Sequence, residues 1–134
     1  MYKKAFLLLG VTMLFALVAL VPVMAQTDAT LPNTVNIGSN ETLGDFLVGA
    51  NGMTLYVFKH DGLAVSNCIE RCAENWPPLT VASADELSLA DGIPGELATI
   101  EGADGALHVT YNDQPLYFWV NDVEPGDATG HNSR

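Results

Sequence analysis

Residues 51–61, Asn51-Gly52-Met53-Thr54-Leu55-Tyr56-Val57-Phe58-Lys59-His60-Asp61, align without a gap on residues 112–122, Asn112-Asp113-Gln114-Pro115-Leu116-Tyr117-Phe118-Trp119-Val120-Asn121-Asp122. The offset is constant. Asn51/Asn112, Leu55/Leu116, Tyr56/Tyr117 and Asp61/Asp122 are identical, and Phe58/Trp119 keeps an aromatic ring. Self-similarity at a fixed offset implies one supersecondary unit used twice, and two copies suggest a pseudo-symmetric domain, not a solenoid.

Each copy reads as a β-hairpin. In the first, residues 45–49 run into Asn51-Gly52, a strong hairpin signal because both residues tolerate positive φ. In the second, residues 106–111 run into Asn112-Asp113, a weaker version of that turn. Pro115 cannot donate to a ladder, so its strand starts there or lies at an edge. Period-two alternation sets Tyr56 with Phe58 against Leu55 with Val57, and Tyr117 with Trp119 against Leu116 with Phe118. Both faces are apolar, which suits a sandwich or small barrel with covered faces.

Between the copies, Asn67 and Glu70 form a capping-box pattern for a short helix that Trp76-Pro77-Pro78 stops. Residues 82–95 read as an acidic loop with at most a short helical turn. Residues 97–101 and 106–111 flank Gly102-Ala103-Asp104-Gly105, a further hairpin signal. The fold class is therefore mainly β: a small domain of two pseudo-repeated β-hairpin units with one short helical insert bearing a C-x3-C pair.

Upstream, Lys3 and Lys4 precede an uncharged apolar run, then Pro22 and Val23-Met24-Ala25. This is the layout of a secretory signal peptide over residues 1–25, cut after Ala25; an uncleaved membrane anchor is the alternative. Residues 26–42 are polar and read as a flexible lead-in. Residues 43–134 form a single repeat domain, with units at about 43–79 and 97–134. The 134 residues carry 5 Lys+Arg against 16 Asp+Glu, net −11. With Lys3 and Lys4 in the leader, the 109 residues after it keep 3 basic and 16 acidic side chains, net −13. That field repels phosphate backbones and anionic lipid, so neither nucleic acid nor a membrane surface is the expected partner after cleavage.

At these residues the chain resembles a family of bacterial secreted proteins and lipoproteins, the secreted repeat of unknown function, with a Y-x-[FWY]-x-x-D motif. Tyr56-Val57-Phe58-Lys59-His60-Asp61 and Tyr117-Phe118-Trp119-Val120-Asn121-Asp122 both fit it. The surroundings are similar too, in Cys68-Ile69-Glu70-Arg71-Cys72, Trp76-Pro77-Pro78-Leu79, Val109-Thr110-Tyr111-Asn112 and Pro125-Gly126-Asp127. The resemblance spans about residues 43–132 and implies an exported repeat protein of the cell envelope, cell surface, periplasm or medium. Three departures stand out. No lipobox Cys lies near the cut, which favours soluble export. The sequence ends at residues 130–134, where the family continues into a further strand, so it is either a fragment or leaves a sheet edge unpaired. His108 and Glu101 replace a usual Gln and a usual basic residue.

Cys68 and Cys72 are the only cysteines. In an exported chain they most simply form a disulfide. The alternatives are thiol redox chemistry or a soft-metal site, with C-x3-C similar to the copper-binding cysteine pair of certain copper-delivery and oxidase proteins and with His60 or Met53 completing the set. For Tyr56, Phe58, Asp61, Tyr117, Trp119 and Asp122, the structural reading has the carboxylates capping turns while the rings fill the core. In the functional reading the tyrosines line a pocket with the carboxylates. No nucleophile has an evident paired base, and no catalytic residue is assigned. The leading expectation is an exported, non-enzymatic binding or structural module without cofactor, acting on an envelope protein or small ligand. An extracytoplasmic copper-binding or electron-transfer accessory protein is the rival. An enzyme centred on Tyr56/Asp61 or Tyr117/Asp122 is a third reading.

Overall fold

The computed structural model of the chain describes residues 31–133. The signal segment over residues 1–25 lies outside the described residues. So does the first part of the lead-in.

Strand β1 (Val35–Asn40) pairs antiparallel with β2 (Gly44–Gly49), from Val35 opposite Gly49 to Asn40 opposite Gly44. The connection is built from side-chain chemistry: the Asn40 side-chain oxygen accepts from the N–H groups of Thr42 and Leu43, at 3.0 and 2.8 Å. The expectation of an irregular stretch through residue 42 therefore gives way at Val35. Its polar residues are strand and turn positions. Only Val35 is an apolar core residue here, while Asn36 is buried and donates from its side chain to the Asn33 carbonyl at 2.6 Å.

After β2 the chain reverses at Asn51-Gly52. Gly52 takes φ +76° and donates to the Gly49 carbonyl, while Gly49 donates to Met53. Asn51 keeps negative φ. The loop is thus a three-residue turn ending in a left-handed glycine, in place of the two-residue turn with both central residues left-handed. The second copy supplies that tighter form. Asn112 and Asp113 have φ of 47° and 64°, and close Tyr111 of β5 (Leu107–Tyr111) onto Gln114 of β6 (Gln114–Pro115). Pro115 stands in this two-residue strand at the start of its segment.

The second sheet runs in the order β3-β5-β4, with β3 at Thr80–Val81 and β4 at Leu97–Glu101. Strand β4 covers one edge of β5 from end to end. On the other edge, β3 and β6 take successive stretches. The acidic loop contains one 3-10 turn, Ala84–Glu86, capped by the Ser83 hydroxyl, and returns to β1 through the Val35–Leu89 bridge. Val35, Leu55, Leu79, Val109 and Leu116 form the buried core, contributed by both copies, by the segment between them and by β1 upstream of them.

Two local expectations are corrected. The helix α1 spans Arg71–Asn75 and is preceded by Glu70 at φ 51° with no side-chain cap. Asn67 does not cap it, because the helix begins only at Arg71, which puts Glu70 and not Asn67 at the cap position. The face of the first Tyr-bearing segment that carries Leu55 and Val57 is covered only in part: Leu55 is buried, whereas Val57 is 54% exposed. These segments also meet over a single residue pair instead of a ladder, and that pair organises the site.

Candidate functional site

Tyr56 and Tyr117 face each other across a local two-fold relation. Tyr56 N–H donates to the Tyr117 carbonyl at 2.8 Å, and Tyr117 N–H donates back at 2.9 Å, the reciprocal exchange of an antiparallel hydrogen-bonded pair. Exchanging the two copies maps this pair onto itself. On its other edge the Tyr117 segment is flanked by residues 77–79. Phe118 donates to the Pro77 carbonyl, Leu79 donates to Leu116, and Pro78 stands opposite Tyr117. Pro78 sits where no ladder bond is needed from it, so its missing N–H costs nothing.

The side chains repeat the exchange. Tyr56 donates its hydroxyl to Asp122 Oδ2 at 2.6 Å, and Tyr117 donates to Asp61 Oδ2 at 2.6 Å. Each phenol is therefore tied to the carboxylate of the other copy. The second carboxylate oxygens hold the loops: Asp61 Oδ1 accepts from the Asn67 N–H at 2.7 Å, and Asp122 Oδ1 accepts from Thr129 N–H and hydroxyl at 2.9 and 2.7 Å. Asn67 also donates its amide to the His60 carbonyl. A third partner completes each phenol. Ser66 Oγ lies 2.6 Å from the Tyr117 oxygen, and Gly130 N–H donates to the Tyr56 oxygen at 3.2 Å. Burial, reinforced by the neighbouring carboxylate, pushes both phenols well above the ordinary tyrosine value. They stay protonated donors at any neutral pH.

Asp61 and Asp122 anchor loops and do not line the cleft that the tyrosines border, so the pocket reading applies to the tyrosines without the carboxylates. That cleft measures about 650 Å³. Trp76 and Phe58 supply further walls. Trp76 meets Tyr56 edge-on at 5.4 Å and lies against Trp119 at 4.2 Å. Gly130 permits this packing: a Cβ there would sit 2.8 Å from the Trp76 ring and 3.0 Å from Trp119. The sequence reading missed Ser66, Asn67, Thr129 and Gly130, which lie outside the aligned stretches.

Cys68 and Cys72 lie with Cα atoms 5.1 Å apart and their sulfurs joined as a disulfide, one in the loop before α1 and one within it. The copper set of Cys68, Cys72, His60 and Met53 is not assembled. Both sulfurs are engaged with each other, His60 is exposed with its ring edge-on to Phe58, and no group of three or more His, Cys, Asp or Glu among the described residues is placed to hold a metal ion. Asp127, in the acidic turn, accepts from the N–H groups of Val123 and Glu124. His108 is buried in β5 and meets Asp104 at 3.0 Å, away from the cleft.

No helix among the described residues is long and apolar enough to cross a membrane. Comparison with curated proteins and with solved structures gave no match. The family described as a secreted repeat of unknown function matches over residues 39–80 and 98–134, one segment for each member of the clasped pair. These two segments cover more than half of the sequence and contain both Tyr–Asp stretches, so the chain belongs to the secreted repeat family of unknown function and is an extracytoplasmic protein.

Proposed function

We propose that the protein is a binding module of the cell envelope or surrounding medium, in which the two Tyr–Asp clasps are scaffold and the aromatic cleft beside them is the site. The observation that carries this reading is the division of labour within Tyr56 and Tyr117. Their hydroxyls are consumed by carboxylates of the opposite copy, while both residues border an open cavity, Tyr56 part-exposed and Tyr117 only 1% exposed. A cleft of about 650 Å³ walled by aromatic rings falls in the size range of small-molecule sites. A phenol held protonated and fully hydrogen-bonded is a poor base or nucleophile at neutral pH, which supports binding over catalysis.

Trp76 and Trp119 are the chain's only tryptophans, and they are packed against each other. Trp76 lines the cleft, so intrinsic fluorescence reports directly on it. Titration with the neutral probe N-phenyl-1-naphthylamine is expected to quench tryptophan emission by energy transfer at one site per chain. Trp76→Leu and Phe58→Leu should each weaken probe binding, while Asp61→Ala and Asp122→Ala should lower the melting temperature. Two results would overturn the reading: no quenching by the probe, or Asp variants that melt like the parent yet lose binding.

A further inference from the structure

The cleft differs from the rest of the molecule in charge. Residues 26–134 carry 16 carboxylates, yet no Asp or Glu lines it. Lys59, His60 and His131 do. Lys59 is the only lysine among the described residues, and it stands on the wall beside Phe58. The nearest carboxylates in the clasps, Asp61 and Asp122, are each bound by a tyrosine hydroxyl and by backbone N–H, which occupies their oxygens. What sets this cleft apart from the smaller acid-free cavity between residues 31–52 and 125–126 is therefore the cationic and imidazole groups at its wall. Asn132 and Ser133 add neutral polar groups to the same rim.

Charge complementarity then selects the guest. The rings of Trp76, Tyr56 and Phe58 offer stacking and edge contacts to a planar apolar body, and Lys59 offers an ammonium to an anion attached to it. A free inorganic anion would leave the aromatic walls unused. A neutral aromatic would leave the cation unused. We propose that the cleft takes a small amphipathic organic acid: an aromatic or polycyclic body carrying one carboxylate or sulfonate. This rests on the binding reading above and names its ligand class.

The test compares two probes on the full exported chain. One is 8-anilinonaphthalene-1-sulfonate; the other is N-phenyl-1-naphthylamine, which has the same ring system without the sulfonate. Both are followed by energy transfer from tryptophan. The sulfonate is expected to bind about fivefold more tightly, the scale of one solvent-accessible ion pair. Lys59→Gln should erase that difference while leaving the affinity for the neutral probe unchanged. Arg71→Gln, in α1 and off the cleft, should leave both affinities as they were. Equal or better binding of the neutral probe overturns the organic-acid class and leaves cleft binding standing. An equal loss in Arg71→Gln and Lys59→Gln also overturns it, because net charge and not the cleft would then be responsible. Binding of neither probe overturns the binding reading itself.

Discussion

Asp122 and Asp61 occupy matching positions, but their surroundings differ in degree. Asp122 is 8% exposed and accepts three hydrogen bonds, from the Tyr56 hydroxyl and from two groups of Thr129. Asp61 is half-buried and accepts two, from the Tyr117 hydroxyl and from Asn67. Bonds to an ionised acceptor are each worth about 1.5–3 kcal/mol, and a phenol stranded in the interior adds its own desolvation cost. Asp122→Ala should therefore destabilise by about 3 kcal/mol and Asp61→Ala by less, an order that urea denaturation resolves. The phenols make a second prediction. Their folded values are raised above the ordinary value of about 10, so the unfolded chain loses these protons first. Stability is full below pH about 10 and falls as pH climbs through the folded values. Denaturation from pH 8 upward should show that decline, and Tyr56→Phe with Tyr117→Phe should flatten it. The sequence alignment makes Tyr and Asp visible as equivalents, but not the exchange between copies, because identity at a constant offset says nothing about which copy supplies the partner. The same limit hid Ser66, Asn67, Thr129 and Gly130. Their roles depend on where loops return, and the two copies use different residue types for the same task.

Among the elements, the turns show how local chemistry and tertiary context divide control. Asn51-Gly52 carries the stronger hairpin signal, yet only Gly52 goes left-handed, and β2 meets the next segment through a three-residue loop. Asn112-Asp113 carries the weaker signal and forms the tight turn, because Asn112 is pinned from outside. Its N–H donates to the Glu96 carbonyl, and its side-chain oxygen accepts the Glu96 N–H, both at 3.0 Å. Asn112→Ala should cost about 1–2 kcal/mol through the lost acceptor and the left-handed backbone. Asp113→Gly, at φ 64° on an exposed position, should gain up to about 1 kcal/mol. Thermal melts of the two variants should move in opposite directions. The hairpin of β4 and β5 was legible because its alternation and Gly-flanked turn agree. Strand β1 was not: with Val35 its only apolar core residue, it has almost no hydrophobic pattern to read. The helix start departs from the capping-box pattern because the chain takes positive φ at Glu70 before the helix begins, while Asn67 stays upstream and donates to Asp61 and to the His60 carbonyl.

At the scale of the whole molecule, fold class was legible and assembly was not. The repeat, the Pro-rich stop after the cysteine segment and the acidic loop together specify a small mainly β domain. How one copy is held against the other came only from the structure. The disulfide contributes modestly, because it closes a loop with a sequence separation of only 4. Loop-closure entropy for so short a ring amounts to about 2 kcal/mol. Cys68→Ser with Cys72→Ser should lower the melting temperature yet leave a cooperative transition, whereas pairing an Asp61 change with an Asp122 change should not be so well tolerated. The clasps span the chain; the disulfide does not.

Because each phenol finds its acid in the opposite copy, a molecule containing a single copy would present one unsatisfied donor and one unsatisfied acceptor, matched in spacing to those of a second identical molecule. Tandem linkage turns what would be association between two chains into an event within one, at an effective concentration set by the connecting residues. The clasped state therefore does not dissociate on dilution. For an extracytoplasmic protein, that is the difference between an assembly that falls apart when diluted and one that persists.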